Sequence, residues 1–326
     1  MAETAAIAKM AQFVSDEIFS VFGWERKPHR DLNFECELKA HDKKTHPADV
    51  VYHYDSPLDP HRVYLNVDLK SYARNSISGS VVAGAANNMI LAMDCANRSS
   101  EWRGRYVGNE ENFDVHGLLF VYNHDAGFDS GWTPLLADAK INNRKIIGSI
   151  KQRLYVLGPP DILYLVSVAD DIKRQRGSDK LPRKDECWFH YPDLAIARFN
   201  HNQSTAATME LLTSPWMILG YNGKAGETTV QGSYCYYRGH GEKYEEFCFL
   251  IDYLFRTQLV GETNIITIKC LLPSSKASEN FTKAKETYAQ EHHALPEFVK
   301  RLDRIKFEPL AKIREQFHEE VLGMED

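Results

Sequence analysis

The sequence predicts a mixed α/β fold, built from α+β mixed sheets and arranged as two domains. The chain has 326 residues, which is enough for two domains of ordinary size. Apolar residues recur at helical spacing in some segments and at every second position in others, so both helices and strands are expected. A polar and basic stretch lies between residues 170 and 186. We therefore predict a first domain over residues 1–175 and a second over residues 185–326.

The first domain is predicted to begin with a helix, followed by a three-stranded antiparallel meander. In the helix, apolar residues from Ile7 to Val21 are spaced three and four apart. In the strands, apolar and polar residues alternate. The expected elements are a helix over 3–22, strands over 33–38, 48–54 and 63–70, a helix over 81–96 capped by Ser76 or Ser78, a strand over 116–122, a helix around 133–150 and a buried strand over 161–169.

The second domain is predicted to be α+β, and we recognise no catalytic motif in it. Its strands are rich in β-branched and aromatic residues, and its helices carry apolar stripes. The expected elements are strands over 188–199, 215–221 and 230–237, a helix over 244–258, a strand over 264–272, and two closing helices of which the last covers 297–322. We expect this domain to serve recognition, dimerisation or regulation.

Composition limits the class of protein. With 43% hydrophobic and 26% charged residues, the chain matches an ordinary globular protein. No apolar run approaches the roughly 18 residues of a membrane span, and the N-terminal segment is amphipathic and acidic rather than a signal sequence. The six cysteines show neither a C-x-x-C pair nor a spacing typical of zinc sites. We therefore expect a cytoplasmic protein with reduced cysteines and no membrane partner.

The strongest chemical signal is a set of two acids and a lysine on two neighbouring strands. Along residues 63–70 apolar side chains alternate with polar ones, so Asp68 and Lys70 share one face of their strand. Asp49 belongs to the preceding strand and follows Pro47 by two positions. Two carboxylates beside an ammonium group can hold a hard divalent cation and a water molecule next to a phosphate.

This arrangement resembles the PD-(D/E)xK superfamily, the restriction-endonuclease-like nucleases. Asp68 and Lys70 match the (D/E)xK motif. Asp49 matches the first acid of the family, with Ala48 inserted after Pro47. The predicted order over the first 125 residues (a helix, three strands, a helix and a strand) also matches the family core.

The resemblance implies a restriction-endonuclease-like core followed by a second α+β domain. It also implies a metal-dependent nuclease that hydrolyses phosphodiester bonds. The favoured form is a DNA endonuclease of restriction or anti-phage defence type, with RNA left open. Asp49, Asp68 and the main-chain carbonyl of Leu69 would bind Mg²⁺ or Mn²⁺. Lys70 would position the attacking water or help to deprotonate it, while offsetting charge on the phosphate.

Further acids are candidates for the same site. In the resembled family an acid of the first helix often joins the metal site, which makes Glu17 a catalytic candidate, and Glu35 or Glu37 could complete the site instead. Two other interpretations of the two acids and the lysine stay open. They could form a structural ion pair on a half-exposed sheet. Alternatively, the fold could be an inert relative that serves as a binding or scaffold subunit of a complex.

Binding to a nucleic acid must rely on local basic patches. The net charge is −6, and neither half of the chain, divided at residue 160, carries more Lys and Arg than Asp and Glu. Residues 140–153 contain no acid. The predicted nucleic-acid-binding patch consists of Arg144, Lys145, Lys151 and Arg153, with Arg98, Arg103 and Arg105 as the next candidates. A solvated helix face is the alternative for this segment, and a homo-oligomer or a regulatory protein partner is compatible with the second domain.

Overall fold

The computed structural model describes residues 2–58, 60–128, 131–141, 152–191, 203–225, 228–293 and 295–312. The chain divides into two compact units, of which the first takes in residues 2–56 and 60–166 and the second residues 57–58 and 167–312. The boundary that the sequence suggested, between residues 175 and 185, stays a prediction.

The first unit is built on one mixed sheet, a separate two-stranded ribbon and several helices. The elements are α1 (Ala2–Val21), β1 (Glu25–Arg26), β2 (Leu32–Glu35), β3 (Thr45–Ala48), β4 (Val50–Asp55), β5 (Arg62–Tyr72), α2 (Gly79–Ala96), α3 (Ser100–Tyr106), β6 (Phe113–Asn123), α4 (Trp132–Asp138), β7 (Leu154–Leu157) and α5 (Pro159–Gly177), which contains the division between the units. The five-stranded sheet has the order β1-β4-β5-β6-β7.

Strand β5 lies at the centre of this sheet. It pairs antiparallel with β4 and parallel with β6, and the crossover to β6 contains α2 and α3. Helix α2 begins at an N-cap, Ser78, whose hydroxyl accepts a hydrogen bond from the Val81 N–H group. A Cβ atom on Gly117 of β6 would lie 3.0 Å from side-chain atoms of both Met89 and Met93. Glycine at this position therefore lets α2 pack closely on the sheet.

Two elements of the first half differ from the prediction. The expected three-stranded meander is wrong for its first strand, because β2 pairs with β3 in a separate ribbon. The expected antiparallel pairing of its second and third strands is confirmed, since β4 pairs with β5, and β4 also pairs with β1. The expected strand over 161–169 is also wrong, because these residues belong to α5. Two prolines and Asp161 occupy the first turn of α5, and the Asp161 carboxylate accepts a hydrogen bond from Gly158 N–H at 3.1 Å. The helix is buried around most of its circumference, so its apolar residues form no stripe that would distinguish it from a buried strand.

The second unit contains a six-stranded sheet with the order β13-β12-β11-β10-β8-β9. Its elements after α5 are β8 (Cys187–His190), β9 (Gln203–Ser204), α6 (Met209–Leu212), β10 (Trp216–Ala225), β11 (Thr228–Tyr237), α7 (Tyr244–Arg256), β12 (Ile265–Leu271), α8 (Ala277–Glu291), α9 (Pro296–Leu302) and β13 (Ile305–Leu310). Strands β11, β12 and β13 are parallel, with α7 and then α8 and α9 in the crossovers. These helices and strands share one apolar core.

The mixed α/β fold class is confirmed. The closing helix expected over 297–322 is right over 297–302, which belong to α9, and wrong over 305–310. After α9 the chain turns and forms β13, where Ile305 pairs with Ile266 of β12. Parts of three predicted elements lie outside the described part of the chain. They are residues 313–322 of the closing helix, residues 192–199 of the strand expected over 188–199, and residues 142–150 of the helix expected around 133–150. Among the described helices, none has the length and apolar character needed to cross a membrane.

Candidate active site

Four polar side chains follow one another at every second position of β5. They are Asn66, Asp68, Lys70 and Tyr72, and their alternation with apolar residues sets them on one face of the strand. Asp68 is buried, whereas the Lys70 side chain is about one-third exposed. The Lys70 ammonium donates a hydrogen bond to Asp68 Oδ1 at 2.5 Å. The face therefore runs from a buried amide to a partly exposed cation.

Asp49 joins this face from the junction between β3 and β4. Its Oδ2 atom accepts a hydrogen bond from the main-chain N–H of Leu69 at 2.8 Å, between Asp68 and Lys70 in sequence. The next residue, Val50, pairs with Val67 of β5. The structure thus brings together the three side chains that the sequence singled out. The Asp49 and Asp68 carboxylates are close enough for Asp68 to raise the pKa of Asp49.

Asn66 anchors the segment that carries Asp49. The Asn66 side chain is fully buried, and its Nδ2 group donates to the main-chain carbonyl of Pro47 at 3.3 Å. Its Oδ1 atom accepts a hydrogen bond from Trp102 Nε1 at 3.2 Å. Because both ends of the amide are held, Asn66 fixes the approach of the Pro47 segment to β5. The alternating pattern of β5 already contained this residue, but nothing in the sequence showed what it contacts.

The electrostatics of the face favour the binding of a cation. Burial, followed by the neighbouring Asp68 carboxylate, raises the pKa of Asp49 to about 7, although the Leu69 N–H group and Lys70 act in the opposite direction. Burial lowers the pKa of Lys70, but the Asp68 and Asp49 carboxylates outweigh it and raise the value overall. A divalent cation would relieve the repulsion between the two acids. Their oxygen atoms are the ligands that Mg²⁺ and Mn²⁺ prefer.

Residues 1–161 match a family model described as the GAPS4 protein PD-(D/E)XK nuclease domain. The chain carries a PD-(D/E)XK nuclease domain. The predicted superfamily is therefore confirmed, and so is the restriction-endonuclease-like fold of this part of the chain; the family model adds the GAPS4 type. Comparison with curated proteins and with solved structures gives no match.

The other acids considered for the nuclease site occupy different surroundings. Glu17 lies on α1 and lines a cavity together with Asp16, Arg26 and Tyr52, so its part in the site stays a prediction. Glu37 accepts hydrogen bonds from the backbone and side chain of Ser100, at the start of α3.

At Glu35, the main-chain N–H group donates to the Glu101 carboxylate at 2.8 Å. These contacts give Glu37 a capping role and leave the completion of the metal site by Glu35 or Glu37 a prediction.

Tyr72 follows Lys70 by two positions on β5 and was not among the residues that the sequence singled out. Burial raises the pKa of its phenol, Lys70 lowers it and Asp68 raises it, and the overall shift is upward. The phenol therefore lies within the electrostatic reach of both motif residues. Its position two residues after Lys70 on a regular strand was the only available signal.

Most of the predicted nucleic-acid patch lies outside the described residues, namely Arg144, Lys145 and Lys151. Arg153 is exposed just before β7, and its carbonyl accepts a hydrogen bond from Gly117 N–H at 2.9 Å.

The alternative basic residues take part in local contacts. Arg98 pairs with Asp94, Arg105 pairs with Glu101, and Arg103 packs over the Phe113 ring. The patch stays a prediction.

Proposed function

We propose that this protein is a metal-dependent nuclease that hydrolyses phosphodiester bonds, with DNA as its favoured substrate. Asp49 and Asp68 would bind Mg²⁺ or Mn²⁺ together with the Leu69 carbonyl. The observation that carries the proposal is the convergence of both carboxylates and the Lys70 ammonium around Leu69, within a nuclease domain. A cation bound there would supply positive charge to the scissile phosphate and acidify the attacking water.

The residues of the chain have separable tasks in this proposal. Burial and the Asp68 carboxylate raise the pKa of Asp49 to about 7, so a cation that binds here near neutral pH would compete with protonation of this carboxyl. Lys70 keeps its proton at neutral pH because its pKa is raised. In that state it can orient the water and offset charge on the phosphate. Lys70 is also more exposed than Asp68 and can approach a substrate.

The biological setting is proposed with the same activity. A restriction or anti-phage defence role accords with a GAPS4-type nuclease domain followed by a second folded unit, which would provide recognition, dimerisation or regulation. The rival function is an inert nuclease fold that acts as a binding or scaffold subunit. Both Asp68 and Lys70 are retained in the D-x-K position, which favours the enzyme.

The test is cleavage by the purified protein. Plasmid, linear and single-stranded DNA, and an RNA of similar length, are incubated with Mg²⁺, Mn²⁺ or EDTA. We expect cleavage that requires the cation and that is lost in Asp68→Ala. The matched control is Glu111→Gln, which alters an exposed carboxylate of the same unit and should cut like the parent.

Two results would contradict the proposal. Equal cleavage by the parent and Asp68→Ala would remove Asp68 from the chemistry. Tight binding of nucleic acid without cleavage under any condition would favour the scaffold.

A further inference from the structure

A second cluster of potential metal ligands lies in the nuclease domain, apart from the acids of β5. It consists of Cys36, which follows β2, His41 at the end of a short 3-10 helix (Lys39–His41), His46 on β3 and Cys95 in the last turn of α2. One ligand atom from each residue can be chosen so that all four lie within 4.8 Å of one another. His41, His46 and Cys95 are buried, and Cys36 is partly buried.

Two of the separations between ligand atoms in this cluster fit a tetrahedral zinc ion, and all of them lie within 4.8 Å. Zinc binds nitrogen at about 2.0–2.1 Å and sulfur at about 2.3 Å, so tetrahedral geometry sets two nitrogens about 3.3–3.4 Å apart and a nitrogen and a sulfur about 3.6 Å apart. The His41 Nδ1 to His46 Nε2 distance is 3.3 Å, and the Cys36 Sγ to His41 Nδ1 distance is 3.6 Å. The first distance joins two nitrogens, and the second joins a sulfur and a nitrogen. Both match the edges of a zinc tetrahedron.

The outer contacts of the cluster orient its ligands. His41 Nε2 lies 3.2 Å from Asp94 Oδ2, and the Asp94 side chain is fully buried. This carboxylate accepts a hydrogen bond from the Nε2–H group, which leaves the Nδ1 lone pair directed towards the other three residues, as in carboxylate–histidine–zinc arrangements. The Glu37 N–H group also donates to Cys95 Sγ at 3.3 Å, a contact suited to a thiolate.

The thiols of this cluster have hydrogen-bond partners outside it. Cys36 Sγ can donate to the Leu38 carbonyl at 3.4 Å, and Cys95 Sγ can donate to the Glu35 carbonyl at 3.8 Å. At the centre of the cluster, both His46 Nε2 and Cys36 Sγ approach His41 Nδ1, which is an acceptor with one in-plane lone pair in the tautomer set by Asp94. A cation at this point would coordinate all four ligand atoms at once.

We propose that Cys36, His41, His46 and Cys95 bind a structural zinc ion. Two thiolates and two imidazoles form a closed Cys₂His₂ set with no position left for a substrate. Soft ligands of this kind select zinc, whereas the oxygen ligands on β5 suit Mg²⁺ or Mn²⁺. The two sites would therefore hold different ions.

The zinc ion would tie the β2–β3 ribbon to the end of α2. A two-stranded ribbon has marginal stability by itself. His46 lies three residues before Asp49, so an ion that holds β3 also restricts the segment that carries a ligand of the proposed catalytic cation. The role assigned to zinc is thus to fix the geometry of the neighbouring site without contacting the substrate.

The first test is the metal content of the tag-free wild-type protein, purified under reducing conditions and measured by mass spectrometry of the elements. We expect about one zinc per chain. Exchange for Co²⁺ should give the visible absorption of a tetrahedral site with thiolate ligands. Neither measurement depends on nuclease activity or on a variant that folds.

Variants then assign the ligands. Cys95→Ser should lose the zinc, while the matched control Cys248→Ser, a partly buried cysteine of the second unit, should retain it. Asp68→Ala should also retain it, which separates this site from the proposed catalytic one. Asp94→Asn, a change at a positioning residue, should lower zinc affinity about 10- to 100-fold.

Three results would overturn the proposal. The first is a wild-type protein that binds no zinc even after reconstitution. The second is a disulfide between Cys36 and Cys95 in freshly isolated protein. The third is unchanged zinc affinity in the double variant Cys36→Ser/Cys95→Ser.

Discussion

Replacing Asp49 with Asn tests the free-energy cost of ionising this buried carboxyl beside Asp68. Burial and the Asp68 carboxylate raise the pKa of Asp49 from 3.8 to about 7, which corresponds to about 4 kcal/mol of unfavourable free energy once the group is ionised. In the unfolded chain this carboxyl loses its proton at a pH near its ordinary pKa of 3.8. Between pH values of about 4 and 7, the folded protein therefore binds more protons than the unfolded chain, and the free energy of unfolding falls as the pH rises. Asn cannot ionise, and its Oδ1 atom can still accept the Leu69 N–H group.

Urea unfolding of the parent and Asp49→Asn at pH 5 and pH 8 measures this effect. Dialysis against buffer free of Mg²⁺ and Mn²⁺ is preferable to a strong chelator, which would also remove zinc from the proposed structural site. We expect the variant to be more stable than the parent at pH 8 by up to about 4 kcal/mol, with less than half of that gain at pH 5. Added Mn²⁺ should stabilise the parent more than the variant. The control is Glu111→Gln, and an Asp49→Asn gain of equal size at both pH values would refute the reasoning.

The remaining predictions concern turnover, substrate binding and the second unit. Lys70→Ala should reduce the rate of cleavage more than the affinity for Mn²⁺. Single-turnover kinetics measure the rate and calorimetric titration measures the affinity, and an equal loss in both would contradict the prediction. Changing Arg144, Lys145, Lys151 and Arg153 to Ala should weaken DNA binding. It should also reduce the slope of log affinity against log salt by about 0.9 for each phosphate that the variant no longer neutralises. An unchanged slope would show that the segment is a solvated face. Lys269→Met should lower the free energy of unfolding by about 1.5–3 kcal/mol, because the buried Asp171 loses its 2.7 Å charge-assisted hydrogen bond. Asp171 keeps Arg174, Gln175 and Tyr236 as partners, and a loss below about 0.5 kcal/mol in urea titration would argue against this contribution.

The sequence was most informative where regularity is local. The alternation along residues 63–70 predicted both the strand and the common face of Asp68 and Lys70, because side chains of a strand alternate by backbone geometry alone. Spacing of three and four likewise predicted α1. It was least informative for α5, because a helix buried on most sides leaves an apolar run with no period. Pairing partners were also hidden, since the β2 sequence is compatible with either a central or a ribbon strand.

The chain therefore encodes the acid and lysine of β5 as neighbours before any tertiary contact forms. Tertiary packing is required to bring residues of other elements next to this acid and lysine. Asp49 reaches Leu69 because β4 pairs with β5 in one register, and Asn66 holds the Pro47 carbonyl beside them. The cysteine and histidine cluster depends still more on the fold. Three of its members come from a short stretch, but the fourth arrives on α2, whose position is set by close packing on β6 at Gly117. Residue spacing cannot reveal such a site, because the distance between its ligands is set by how a helix and a ribbon pack and not by the length of chain between them.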